Sequence, residues 1–95
     1  MNHLLRAAVV GIGNMGSAHA RCIASGAIAG LRLSAVCDLR HERLAWAEQS
    51  LPGVLTFSDF RQLIASGKAD ALIIAVPHPM HSVIAIEAMR AGLDV

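Results

Sequence analysis

Short apolar runs alternate along this chain with stretches of helical period, and the joins between them are only a few residues long. "RAAVV" at 6–10 closes on Gly11 and reads as a buried strand, after which "NMGSAHARCIAS" at 14–25 places Met15, Ala18, Cys22 and Ile23 at helical spacing before Gly26. "LRLSAVCD" at 31–38 sets Leu31, Leu33, Ala35 and Cys37 against Arg32 and Ser34, then turns uniformly apolar and stops at Asp38, as a second strand would. "RHERLAWAEQS" at 40–50 is a charged amphipathic helix ended by Pro52-Gly53, and "VLTF" is a short third strand. Asp59 and Gln62 have the spacing of a capping box at the head of "DFRQLIASG", a helix with Phe60, Leu63 and Ile64 on its inner side. "ADALIIAV" at 69–76 is a continuous apolar strand; two prolines then precede a helix carrying Met80, Val83, Ile84 and Met89, and "LDV" after Gly92 begins another strand.

Strand–helix alternation with short joins implies right-handed crossovers, hence a parallel sheet with helices on both faces. The fold class expected is α/β, a Rossmann-type doubly wound parallel sheet of four strands plus the start of a fifth. A chain of 95 residues holds one such domain or part of one. Its 55% hydrophobic but 3% aromatic content suits helices packed closely on buried strands better than a β-sandwich. A net charge of +1 without a basic stripe argues against a nucleic-acid partner. The longest apolar run, "ALIIAV", is too short to span a membrane, and no signal-peptide pattern opens the chain, so a cytoplasmic protein is expected. Cys22 and Cys37 lack metal-type spacing and read as small buried thiols rather than a disulfide.

Within "VVGIGNMGSAHA" stands Gly11-x-Gly13-x-x-Gly16, after a strand and at the head of a helix, the context that gives a dinucleotide fingerprint its meaning. Gly11 permits the tight turn, Gly13 lets a pyrophosphate approach the backbone near Asn14 and Met15, and Gly16 lets the helix pack on the strand. Free N–H groups at the helix start would hold the negative charge. Asp38 lies 22 positions after Gly16 at a strand end, where its carboxylate can accept from the adenosine ribose hydroxyls. That acid favours NAD over NADP, whose 2′-phosphate would meet a like charge, although Arg40 is placed to reach such a phosphate or to stack on adenine. The plain alternative is a glycine turn with a solvated Asp38 and a solvated Arg40. Ala75, Val76, Pro77 and His78, at the carboxyl end of the fourth strand, should face the same cofactor, with His81 one turn later.

"VGIGNMGSAHA", Asp38, "FSDFRQLIASGKADALIIAVPHPMH" and "AMRAGLDV" together resemble the glucose–fructose oxidoreductase, inositol dehydrogenase and MocA family of NAD(P)-dependent oxidoreductases, over the whole chain. In that family the fourth strand ends in a Thr-Pro-Asn-x-x-His pattern that lines the cofactor pocket. Here Val76 stands for the Thr and His78 for the Asn, while Pro77 and His81 match. His78-x-x-His81 also has a metal-ligand spacing, but no third ligand stands near it in sequence, and no metal is expected. His19 reads as a helix residue satisfied locally, and Trp46 and the methionines as core.

The resemblance implies hydride transfer between nicotinamide and a hydroxyl or carbonyl carbon of a sugar- or cyclitol-like substrate. It also implies a second α/β domain, homo-oligomer contacts and a Glu-Lys-Pro motif with a catalytic lysine, all beyond residue 95. Residues 1–95 are thus expected to be the truncated dinucleotide-binding domain, inactive alone, with no catalytic residue of their own. An apolar "ALIIAV" edge would favour self-association. A non-catalytic nucleotide-sensing module on the same fold is the alternative function, and a methyltransferase a weaker one.

Overall fold

Residues 4–95 are described by a computed structural model, in which the first strand takes the centre of the sheet. β1 (Leu5–Val10) pairs in parallel with β2 (Leu31–Cys37) on one side and β4 (Ala71–Ile74) on the other, and β3 (Leu55–Phe57) extends the β2 side, giving the order β3-β2-β1-β4. Helices α1 (Asn14–Ala24), α2 (His41–Ser50), α3 (Phe60–Ala65) and α4 (His78–Arg90) fill the crossovers. Asp94 bridges Ala71 in parallel on the outer side of β4, so the segment "LDV" starts where a fifth strand belongs. The doubly wound α/β sheet expected from the alternation is what forms, with β4 limited to 71–74 rather than 69–76. No helix among the described residues is long and apolar enough to cross a membrane.

Two apolar cores form because β1 has small or branched residues on both faces. Ala7 and Val9 pack with Ala20 and Ile23 of α1 and with Ala47 and Leu51 from α2 and its C-cap; Ala8 and Val10 pack with Phe60 and Leu63 of α3 and Ile84 and Ala88 of α4. The simple alternation expected in β2 fails at one point. The register slips between Ala7 and Ala8, whose partners are Leu33 and Ala35, so Ser34 is an extra residue. Leu33 therefore joins the α1/α2 core while Ala35 and Cys37 join the other, and the Ser34 hydroxyl donates to the Ala7 carbonyl at 3.2 Å.

Helix faces correct the size-based expectation. In α1 the buried residues are Gly16, Ala20 and Ile23, whereas Met15, Ala18 and Cys22 are exposed. In α4 the inward residues are Ile84 and Ala88, with Met80, Val83 and Met89 outside. Close approach to a flat sheet selects residues with little side chain, so the larger apolar groups are displaced to the flanks. Three methionines expected in the core, Met15, Met80 and Met89, are thus exposed, while Trp46 does pack against the α1/α2 core. Asp59 caps α3, its Oδ1 accepting from the Arg61 N–H at 2.9 Å, but the Gln62 side chain does not return the bond that the expected capping box would have.

Cys22 is exposed, against the expectation of burial, and only Cys37 is an interior thiol. Burial first, then the charges of Asp38 and Asp59, push the Cys37 thiol up to about 12. A thiol reagent at neutral pH is therefore expected to label one of these two cysteines in the folded chain and both in denaturant. Prompt labelling of both in the native state would contradict this packing.

At the amino ends of the central strands, Arg6 grips Asp70 through its backbone N–H at 2.9 Å and through Nε and Nη2 at 3.2 and 3.0 Å. The Arg6 side-chain bonds, then its backbone N–H, hold the Asp70 carboxyl down at about 2 against an ordinary 3.8. A depressed carboxyl stabilises the fold above its unfolded pKa and loses that contribution as pH falls through its folded one. The stability advantage of the native chain over Asp70→Asn should accordingly be full above pH 4 and vanish between pH 4 and 2. Denaturation midpoints of the two proteins across that range check it; a constant difference would refute the linkage.

Candidate functional site

Three strand ends meet around the β1–α1 turn. Gly11 takes φ +91°, and a Cβ there would meet the Ala75 carbonyl oxygen and Val76 Cγ1, each at 2.8 Å. Its N–H donates to the Cys37 carbonyl at 2.7 Å, and Ala75 N–H donates to Val10 at 2.8 Å, so the turn is fastened to β2 on one side and to the end of β4 on the other. A Cβ on Gly16 would overlap the Gly11 carbonyl outright, because α1 lies directly on the turn. Gly13 differs from both. Its backbone is ordinary and extended, φ −69°, and the nearest atoms to an added Cβ are the guanidinium carbon and both terminal nitrogens of Arg43, all at 3.4 Å. Its bare face opens on a crevice of about 250 Å³ between Ile12, Asn14, Ser17, Arg43 and Trp46.

Gly13 is also the N-cap of α1, and α1 has neither a side-chain cap nor an acidic residue in its first turn. The first N–H groups of a helix have no partner within it. Leaving them without a side-chain acceptor, beside a glycine that lets a ligand approach the backbone, fits an anionic group such as a pyrophosphate.

Asp38, just past β2, is buried, its side chain 5% exposed. The sequence suggests a carboxylate waiting for ribose hydroxyls; the structure shows one already engaged by its own chain. Oδ2 accepts from the Ile12 N–H at 2.9 Å and from Arg43 Nη1 at 3.2 Å, and Oδ1 accepts from the Arg40 N–H at 2.9 Å. One carboxylate thus ties the glycine turn to the start of α2. Each oxygen has more than one lone pair, and the Arg43 side chain, 40% exposed, is the donor that can leave without moving backbone.

Arg40 is the N-cap residue of α2 and serves Asp38 through its backbone; its exposed guanidinium lies 3.8 Å from Glu42. Arg43 has no motif in the sequence to announce it. Its one signal is position, a cation in the first turn of a helix, where the dipole favours an acid.

From the fourth strand, Ala75 and Val76 back Gly11, and Pro77, exposed, caps α4 with Pro79 in the first turn. Met15, Asn14 and His81 are exposed on the carboxyl side of their strands' turns, and the side chain of His78 lies outside the described residues. A larger cavity, about 560 Å³, sits at the amino ends of β2 and β3 among Arg21, Leu31, Arg32 and Leu51. It shares no residue with the glycine-turn crevice and lies at the end of the sheet opposite to where such folds bind ligands.

A family model described as an oxidoreductase family with an NAD-binding Rossmann fold matches residues 5–95. The inositol 2-dehydrogenase of Corynebacterium glutamicum (strain R) is 35% identical over all 95 residues, which span 28% of its length. Among solved structures, myo-inositol 2-dehydrogenase from Lactobacillus plantarum aligns with a TM-score of 0.88 at 38% identity, over 95% of this chain and 26% of that one. The scyllo-inositol dehydrogenase of Lactobacillus casei, solved with NAD(H) and scyllo-inositol, aligns with a TM-score of 0.88 at 31% identity, again over 95% of this chain and 26% of that one. The chain therefore spans about a quarter of the length of the relatives it matches.

Proposed function

Because the chain belongs to the glucose–fructose oxidoreductase, inositol dehydrogenase and MocA family and is its NAD-binding Rossmann domain, we propose that it is the cofactor-holding part of a dehydrogenase acting on a cyclitol or a related sugar-like polyol. The observation that carries the reading is the bare face of Gly13 beside the uncapped start of α1, with Asp38 bonded to the neighbouring Ile12 N–H. In it, Gly11 and Gly16 set the turn, and the Asn14 and Met15 N–H groups receive the pyrophosphate. Asp38 and Arg40 stand at the adenosine ribose; Ala75, Val76, Pro77, His78 and His81 line the way toward the nicotinamide.

A bound nicotinamide supplies the hydride chemistry, and the chain's own part is to bind and orient. The part these residues play in the reading is cofactor binding, with no catalytic side chain assigned among them. NAD is the cofactor; NADP is retained as a second ligand because Arg43 already compensates the charge of Asp38. The reading includes a cytoplasmic setting, supported by two unpaired thiols. It also includes homo-oligomer contacts, supported by Val83, Ile86 and Met89 exposed on α4.

Calorimetry with NADH, NADPH and ADP-ribose tests it. Binding of ADP-ribose and NADH, lost in Gly13→Val, is the expected result. Absence of any binding, or competition by S-adenosylmethionine instead, would sink the reading.

A further inference from the structure

Arg43 lines the glycine-turn crevice beside Glu42 and Trp46, and three facts about it are not explained by helix stability. Its guanidinium lies over Gly13, with Cζ, Nη1 and Nη2 all 3.4 Å from the position of an added Cβ. Nη1 reaches the buried Asp38 carboxylate at 3.2 Å, sharing Oδ2 with the Ile12 N–H. Its place in the first turn of α2 sets a cation against the positive end of that helix, one turn from a second arginine, Arg40, at the N-cap. Cations placed so are held there by anions, and among the described residues Asp38 is the acid within ion-pair distance of Arg43.

We infer that Arg43 is an exchange latch and a cofactor-positioning residue. In the free chain it neutralises Asp38 and covers Gly13. On binding it gives up Asp38 Oδ2, freeing that oxygen to accept from a ribose hydroxyl, and turns its guanidinium to the pyrophosphate arriving over the uncovered Gly13. No covalent bond changes; one ion pair is exchanged for a carboxylate–hydroxyl hydrogen bond and a guanidinium–phosphate ion pair. The charge of Asp38 is thus satisfied in both states, by Arg43 or by ribose hydroxyls, and its bond to Ile12 persists throughout.

The inference rests on the dinucleotide reading and adds to it an effect of opposite sign on two ligands. Adenosine needs Asp38 freed but offers Arg43 no phosphate; ADP-ribose offers both. In Arg43→Ala, followed by amide NMR titration on the 95-residue chain, adenosine should bind about two- to fivefold more tightly, since no ion pair has to be broken to free Asp38 Oδ2. ADP-ribose should bind about tenfold or more weakly, having lost a charge-assisted hydrogen bond. Arg43→Lys, which keeps the charge without the planar fork, should recover part of the ADP-ribose affinity. In the unaltered chain the Arg43 Nε–H signal should move with both ligands, to different positions, a readout that survives even if a variant folds poorly. Equal changes for the two ligands, or none, or an Arg43 signal that stays still, would overturn the latch. Failure of the unaltered chain to bind ADP-ribose at all would instead overturn the underlying reading, so the two failures are separable.

Discussion

Gly16→Val is expected to abolish the cooperative fold, and even Gly16→Ala to lower its stability by more than about 3 kcal/mol. Helix propensity alone predicts the reverse, since alanine within a helix is favoured over glycine by about 1 kcal/mol. Steric contact decides the sign. The added Cβ would overlap the Gly11 carbonyl oxygen, lie 2.7 Å from the Gly11 carbonyl carbon, and sit 3.3 Å from the Ala75 Cβ. Two of these are atoms of a backbone fastened to both neighbouring strands, so they cannot give way as a flexible side chain would. The only relief is to lift α1 from the sheet, which uncovers Ala20 and Ile23 from Ala7 and Val9. A small domain has about 5–15 kcal/mol to lose. Gly26→Ala is the control: that residue has φ +81° but open space around it, so the cost should stay near about 1–2 kcal/mol. Urea denaturation of the three variants checks the order. Equal effects at positions 16 and 26 would mean that α1 yields to the added methyl and that contact with the turn does not set the requirement.

Asp38→Ala should be the most damaging polar substitution, costing about 3 kcal/mol by leaving donors without an acceptor. The Ile12 N–H, the Arg40 N–H and Arg43 Nη1 all converge on that one carboxylate. Asp38→Asn keeps a single carbonyl oxygen and turns an amide donor toward another donor, so an intermediate cost of about 1–2 kcal/mol is expected. Both variants should lose ADP-ribose binding by about tenfold or more, because the glycine turn loses its tie to β2 and the ribose its acceptor. Denaturation and calorimetry on the same preparations give the two quantities. Unchanged stability in Asp38→Ala would show that the carboxylate waits for ligand rather than holding the turn.

The element order, the sheet type and the glycine turn were legible in the residues because each depends on local signals: apolar run length, glycine placement, an acid at a strand end. Helix faces were less so. Periodicity weighs residues by hydrophobicity, and it chose Met15, Cys22 and Met89; packing weighs them by how near a backbone must come, and it chose Gly16, Ala20 and Ala88. The slip at Ser34 was hidden because a serine among apolar neighbours looks like ordinary alternation. At the site, the positions of Gly11, Gly13, Gly16 and Asp38 were readable. The partners of Asp38 were not, since Ile12 and Arg43 reach it from two different segments and only the fold brings them together.

The central place of β1 has a consequence for synthesis. Of these four strands the earliest made needs neighbours on both edges, and its second neighbour comes late: Arg6 and Asp70 are 64 residues apart. At about 5–20 residues per second, a growing chain waits on the order of 3 to 13 s between the emergence of those two residues. During that interval β1 can pair with β2 but keeps one edge open. A pause or rare codons shortly before residue 70 would lengthen the wait and favour capture of that edge by another nascent chain, whereas the same pause after α4 would find the sheet already closed around its first strand.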